Sequence, residues 1–219
     1  MKKFLLALLM PVVAFTGCAA DDPSTPPTDP DTGNNETGAA VPTKTLIAYF
    51  SAEGHTKAVA EAIKNETGAD IFFIEPAEPY AANPYADSDK IQNEAYNDLR
   101  PAVKNYLPDD RMAAYDTIFV GTPCWWHQPA MVVCTFLEHY DLSGKTIIPF
   151  VTFGARTYLN ETMQKLYKCT PNSLHIPASL PEDIDPDNIR QPQNDDDGID
   201  MPSAARIRQW LSRIGYGKK

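Results

Sequence analysis

The sequence predicts an open α/β domain: a parallel sheet with helices on both faces. Two observations carry this. From Lys44 onward, apolar runs of strand length alternate five times with helical patterns. The runs are also nearly continuous in apolar residues, as strands covered on both faces require.

Each element can be justified in turn. Thr45 to Phe50 is a continuous apolar run and the first strand. Ser51 to Thr56 is a small polar turn, and a helical pattern follows through Val59 and Ile63 to about Glu66, where Gly68 stops it. Asp70 to Glu75 reads as the second strand. From Glu75 to Asp110 the pattern weakens, because Pro76, Pro79 and Pro84 break its start; a polar helix is expected from about Ser88 to Leu99. Tyr115 to Gly121 is the third strand. Val133, Phe136, Leu137 and Tyr140 then recur at helical spacing, giving a helix with one buried face. Lys145 to Phe153 is the fourth strand, although Pro149 removes a ladder donor from it. Arg156 to Tyr167 is expected to be helical, and Ser173 to Ile176 a short fifth strand. Pro181 to Asp200 is an acidic loop with eight Asp or Glu against one Arg. Ile207, Trp210, Leu211 and Ile214 mark a closing amphipathic helix.

The ends follow other rules. Lys2 and Lys3 precede a short apolar run, Phe4 to Phe15, too short to span a membrane and suited to a leader over residues 1–17. Its end, Phe15-Thr16-Gly17-Cys18, resembles the lipobox of bacterial lipoproteins, and that resemblance implies lipidation at Cys18; an ordinary cleaved signal peptide is the alternative. Removing Lys2 and Lys3 takes the formal charge from −10 to −12. Residues 18–43 are rich in Pro, Thr, Asp, Gly and Asn and nearly lack large apolar groups, so they are expected to form a flexible tether. Residues 44–219 are the folded domain.

Composition sets limits. Hydrophobic residues at 43% supply an ordinary core, and a net charge of −10 argues against nucleic acid as a partner. Beyond Cys18 there are Cys124, Cys134 and Cys169, an odd number with no CxxC and no metal spacing. A bridge from Cys169 to Cys124 or to Cys134 is open. Asp195, Asp197 and Gly198 brush against a calcium-loop pattern that fails at Gln193 and Ala204, so no metal site is expected. His139 and His175 lack partner spacing and read as structural.

Ligands of open α/β sheets sit beyond the carboxyl ends of the strands. Three loops occupy such ends. Ser51-Ala52-Glu53-Gly54-His55-Thr56 joins strand to helix with small residues and free N–H groups, which suits an anion such as phosphate or simply a capped helix start. Gly121-Thr122-Pro123-Cys124-Trp125-Trp126-His127 places two tryptophans at a strand end, a platform for a flat ring or a pair packed under the next helix. Thr152 to Arg156 is the third. His127 beside the tryptophans is a proton donor or a plain rim residue, and Cys124 has a possible redox role.

The runs Leu46-Ile47-Ala48-Tyr49-Phe50-Ser51-x-x-Gly54-x-Thr56, Tyr115-Asp116-x-Ile118-Phe119-x-Gly121-x-Pro123-x-Trp125-Trp126 and Phe136-Leu137-Glu138-x-Tyr140-Asp141-x-Ser143-Gly144-Lys145-Thr146-Ile147-Ile148-Pro149-Phe150 together resemble the flavodoxin-like family. The likeness is strongest to the branch with paired tryptophans in the second loop, which also accepts a proline in the fourth strand. It implies a three-layer α/β/α fold with a five-stranded parallel sheet in order 2-1-3-4-5, and FMN as cofactor. Ser51, Gly54, His55 and Thr56 would cradle its phosphate. Pro123, Trp125, Trp126 and His127 would flank the isoalloxazine ring, with Thr152, Phe153 and Gly154 along the other edge. Two departures stand out. Glu53 replaces the usual threonine, setting a carboxylate near a dianion unless solvent or His55 or Lys57 relieves it. The third loop continues as Gly154-Ala155-Arg156-Thr157-Tyr158, where Arg156 could supply charge and Tyr158 could cover the ring or obstruct it.

The implied activity is electron transfer by FMN outside the cytoplasm, in a bacterial cell envelope, with the chain held to a membrane by its lipid on the periplasmic face or at the cell surface. Aromatic and acidic surroundings should lower the flavin potential. The secretory-type leader means that FMN is acquired after export, so a membrane donor, a quinone or another exported redox protein is the expected partner. Two alternatives remain: an FMN-dependent reductase of quinones or other small acceptors, and a flavodoxin-shaped domain without cofactor that binds a partner.

Overall fold

The structure is a computed structural model that describes residues 44–154, 156–176 and 203–216, with residue 156 described by its backbone alone. The expected leader over 1–17, the tether over 18–43, the acidic loop over 181–200 and the Arg156 side chain lie outside the described residues.

Among the described residues six strands are present: β1 (Thr45–Tyr49), β2 (Asp70–Phe73), β3 (Thr117–Trp125), β4 (Gln128–Pro129), β5 (Thr146–Thr152) and β6 (Leu174–His175). Five run parallel in the spatial order β2-β1-β3-β5-β6, which is 2-1-3-4-5 when the parallel strands alone are counted. The sixth, β4, pairs antiparallel with the end of β3. It was not expected. It exists because β3 runs past Gly121 as far as Trp125 and doubles back on itself.

The helices are α1 (His55–Thr67), α2 (Ser88–Tyr96), α3 (Asp109–Ala113), α4 (Met131–Glu138), α5 (Leu159–Cys169) and α6 (Ala204–Arg213). Helix α1 stops where its sequence says it should, since Gly68 adopts φ 74° and returns its N–H to the Lys64 carbonyl. The polar helix after Ser88 is shorter than expected and ends at Tyr96, while α3 was not anticipated. A 3-10 turn over Arg156–Tyr158 precedes α5, so that helix starts later than its periodicity suggests. Among the described residues no helix is long and apolar enough to cross a membrane.

Alternation along the strands builds two cores. Leu46, Ala48, Ile118, Val120, Ile147 and Val151 face α3, α4 and α5. Ile47, Tyr49, Phe119, Ile148 and Phe150 face α1 and α6, meeting Val59, Ile63, Ile207, Trp210 and Leu211. Gly121 lies in the second layer, where an added Cβ would come within 2.3 Å of the Phe150 ring and 2.8 Å of Tyr49 Cβ. Only glycine fits there. Pro149 pairs with Val120 of β3, and β6 pairs with β5 at Thr146 and Ile147.

The amino end of β1 is tied down by a polar cluster. Tyr115 donates to Asp70 (2.7 Å), and the Lys44 ammonium lies 3.5 Å from Asp70 and 4.6 Å from the Tyr115 ring centroid.

Candidate functional site

Small residues shape the first strand-end loop. Gly54 takes φ 94°, a conformation that glycine adopts freely, and its N–H donates to Ser51 Oγ at 3.0 Å. The first N–H groups of α1 then have no preceding helical turn to accept them. The place of a Cβ on Gly54 is open, with nothing within 4 Å. Thr56 is buried, and its hydroxyl lies 2.8 Å from that of Thr152, which locks the first loop to the third. His55 and Glu53 are exposed. The Glu53 carboxylate therefore reaches solvent, which relieves the repulsion the sequence raised. Lys57 faces Glu61 at 3.8 Å.

The second loop is a tight hairpin. Cys124 pairs with Pro129 and Trp125 with Gln128, leaving Trp126 and His127 as its two central residues. Both take left-handed backbone, φ 48° and φ 65°. That is the turn a two-residue hairpin needs, but in bulky residues it costs on the order of 1–2 kcal/mol each. Neighbours hold it. The Thr162 hydroxyl of α5, fully buried, lies 3.2 Å from the His127 carbonyl and 3.1 Å from Cys124 Sγ. The His127 ring stacks on Tyr158 with centroids 3.7 Å apart, and its Nδ1 is 3.5 Å from Glu161. Tyr158 thus lies against the hairpin turn. Pro123 pairs with Thr152 across β3 and β5, and Ala130 N–H donates to Thr122 Oγ1.

The two tryptophans have different surroundings. Trp125 is half-buried and meets Phe50 and Tyr80 edge-on, with centroids 5.5 and 5.2 Å apart. Trp126 is 36% exposed and meets Tyr96 edge-on at 5.8 Å. Neither is fully buried, although Trp125 packs against the core cluster to which α4 contributes. Tyr158 was expected near the ring and lies against the hairpin, whereas Tyr80, Tyr96 and Thr162 are residues the sequence reading did not place at this end of the sheet. Tyr80 and Tyr96 arrive on the β2–β3 excursion, closed at its base by Pro76 pairing with Val103. Phe153 is buried and Gly154 is exposed, with open space where its Cβ would stand. The three loops converge.

The polar groups nearby have definite states. Burial, outweighing the Thr162 hydrogen bond, pushes the Cys124 thiol up, so it is a poor thiolate. Glu94 is buried and accepts from the Tyr80 hydroxyl at 2.7 Å; burial raises its carboxyl above the ordinary carboxylate value. Desolvation first, and then Glu94, raise the Tyr80 phenol. Gln128 Oε1, in the hairpin, is the one buried side-chain oxygen among the described residues without a hydrogen-bond partner. A separate cavity of about 480 Å³ lies on the excursion side, lined in part by Glu78, Lys90, Glu94 and Leu99. None of the three loops lines it.

Comparison with known proteins bears on the family and the fold. A family model described as flavodoxin matches residues 44–189. A Bacteroides uniformis chain described as a flavoprotein is 26% identical, with a TM-score of 0.60 over 78% of this chain and 98% of its own. One from Bacteroides eggerthii, described in the same way, is 29% identical, with a TM-score of 0.56 over the same shares. A Lactobacillus acidophilus flavoprotein in complex with FMN shares the fold at 24% identity, with a TM-score of 0.51 over 61% of this chain and 90% of its own. No curated protein matches the chain.

Proposed function

The chain belongs to the flavodoxin family, and on that premise we propose that it holds one FMN and passes electrons at a membrane outside the cytoplasm. The observation that supports this best is the closure of the three loops. The Thr56–Thr152 contact ties the first to the third, and the hairpin sets Trp125 beside Phe50 at the same end of the sheet. Bound FMN supplies one- and two-electron redox chemistry. The chain's own residues bind and orient it. The N–H groups opening α1, with Ser51, Gly54, His55 and Thr56, meet the phosphate, where the helix start favours negative charge. Pro123, Trp125, Trp126 and His127 flank the ring, with Thr152, Phe153 and Gly154 along its other edge. The unpaired Gln128 oxygen is an acceptor of the kind that a ring N–H satisfies.

Attachment rests on Cys18, by the lipobox-like run that precedes it. The partner is a membrane donor, a quinone or another exported redox protein. The decisive test of the cofactor is direct: saturate the purified protein with FMN, desalt it and record the visible spectrum. Retained flavin absorbance is expected, with a midpoint potential below that of free FMN; colourless protein ends the proposal. Catalytic consumption of a small acceptor with a defined donor would instead mark a reductase. For attachment, Cys18→Ser should move the protein from the membrane to the soluble fraction of its host, and an unchanged distribution would refute the anchor.

A further inference from the structure

The cavity on the excursion side belongs to none of the three loops, and two groups that line it have hydrogen-bonding capacity to spare. Glu94 of α2 is only 7% exposed. Its Oε2 accepts from the Tyr80 hydroxyl at 2.7 Å, while its Oε1 has no hydrogen-bond partner among the described residues. Lys90 stands one turn earlier on the same helix, at a spacing where opposite charges often pair. No ion pair joins the two among the described residues. The Lys90 ammonium lies instead over the Tyr80 ring, 4.6 Å from its centroid. Glu78 is 3.8 Å away, too far for a hydrogen bond, and its side chain is 90% exposed. A buried acceptor and a set of donors therefore line one space without satisfying each other.

The rest of the lining narrows the ligand. Leu99, Pro101 and Ala102 give the cavity an apolar side. Arg100 adds no free charge, because it is committed to Glu138 and Asp98. The charges of Lys90 and Glu94 offset each other, so a cation would meet Lys90 and an anion Glu94. A neutral molecule avoids both costs. The volume, about 480 Å³, suits a small molecule, for which pockets run from roughly 300 to 1,000 Å³.

We propose that this cavity binds a small neutral ring carrying an N–H beside a C=O, a cyclic amide or imide, with its N–H on Glu94 and its carbonyl on Lys90. An open-chain amide is trans and points the two groups in opposite directions, whereas a ring holds both on one side, toward one helix. The match survives either state of the acid. A carboxylate accepts the N–H; the neutral carboxyl, which burial favours here, accepts the N–H and can donate to the carbonyl. The site does not depend on FMN, although Tyr80 joins the two regions: its hydroxyl meets Glu94 and its ring lies 5.2 Å from Trp125.

The test is calorimetric titration of the purified protein with isocarbostyril, a neutral two-ring cyclic amide, with and without saturating FMN. Saturable binding to one site is expected, with an affinity that FMN leaves unchanged. The N-methyl analogue, which lacks the donor, should bind about tenfold more weakly, and so should isocarbostyril to Lys90→Met. Glu94→Gln keeps an acceptor for Tyr80 but turns a donor toward the cavity, and a similar loss is expected. Four results overturn the proposal: no saturable binding, equal affinity for the N-methyl analogue, binding abolished by FMN, which would place the probe in the flavin loops, or equal affinity for the zwitterion glycine. None of them touches the FMN spectrum, so failure here and failure of the redox reading are separate outcomes.

Discussion

The first loop and the hairpin reach the same end of the sheet by opposite means. Residues 51–56 are small, carry their one left-handed residue at glycine, and are closed by a buried hydroxyl contact to Thr152. The hairpin places its left-handed backbone at a tryptophan and a histidine and depends on α5 to hold it there. One is relaxed and tied to β5 by one hydroxyl contact; the other is strained and held in place by α5. The contrast matches the two jobs proposed for these loops, holding a phosphate and facing a ring. A phosphate asks only for backbone N–H groups, whereas a ring face asks for large side chains in awkward places.

Substitutions can break or sharpen this contrast. The largest effect is expected at the foundation both loops share. Gly121→Ala forces a methyl into the Phe150 ring and should cost about 3 kcal/mol in urea unfolding, weakening both loops together. Next is Thr56→Val, which strands the buried Thr152 hydroxyl. It should cost about 2 kcal/mol and weaken FMN binding as well. Trp126→Asn separates the two loops most cleanly. Asparagine tolerates the left-handed backbone, so the unfolding midpoint should hold while FMN affinity falls about tenfold, on the order of the 1.4 kcal/mol a stacking contact provides. An equal loss of stability would show that the turn is not strained. The smallest effect is in pH. Burial raises the Glu94 carboxyl, so the folded state holds its proton more tightly than the unfolded chain does. Its contribution to stability is full below the unfolded value and is lost as pH rises through the folded one. Glu94→Gln should flatten that decline in pH-dependent melting just above the ordinary carboxylate range.

Much of the scaffold was legible in the residues. Near-continuous apolar strands, Gly68 at the end of α1 and the closing helix around Trp210 each follow from a short local pattern. The three strand-end loops were legible as places. Their supports were not. A two-residue hairpin is normally signalled by Asn-Gly or Asp-Gly, and Trp126-His127 gives no such cue because α5 enforces the conformation from outside. Tyr80 and Tyr96 reach the tryptophans on an excursion closed by long-range contacts such as the Pro76–Val103 pairing, across a polar stretch whose pattern gives no cue to them. Thr162 looks like any interior helix residue until its hydroxyl is seen against the His127 carbonyl.

The polar knot of Lys44, Asp70 and Tyr115 fixes where the chain enters the sheet: at the pole opposite the tryptophans. Any anchor upstream of residue 44 therefore pulls on the far side of the molecule. On the proposed reading, a lipid on Cys18 would join the domain at the end of β1 away from Trp125 and Trp126, leaving that end clear of the attachment point.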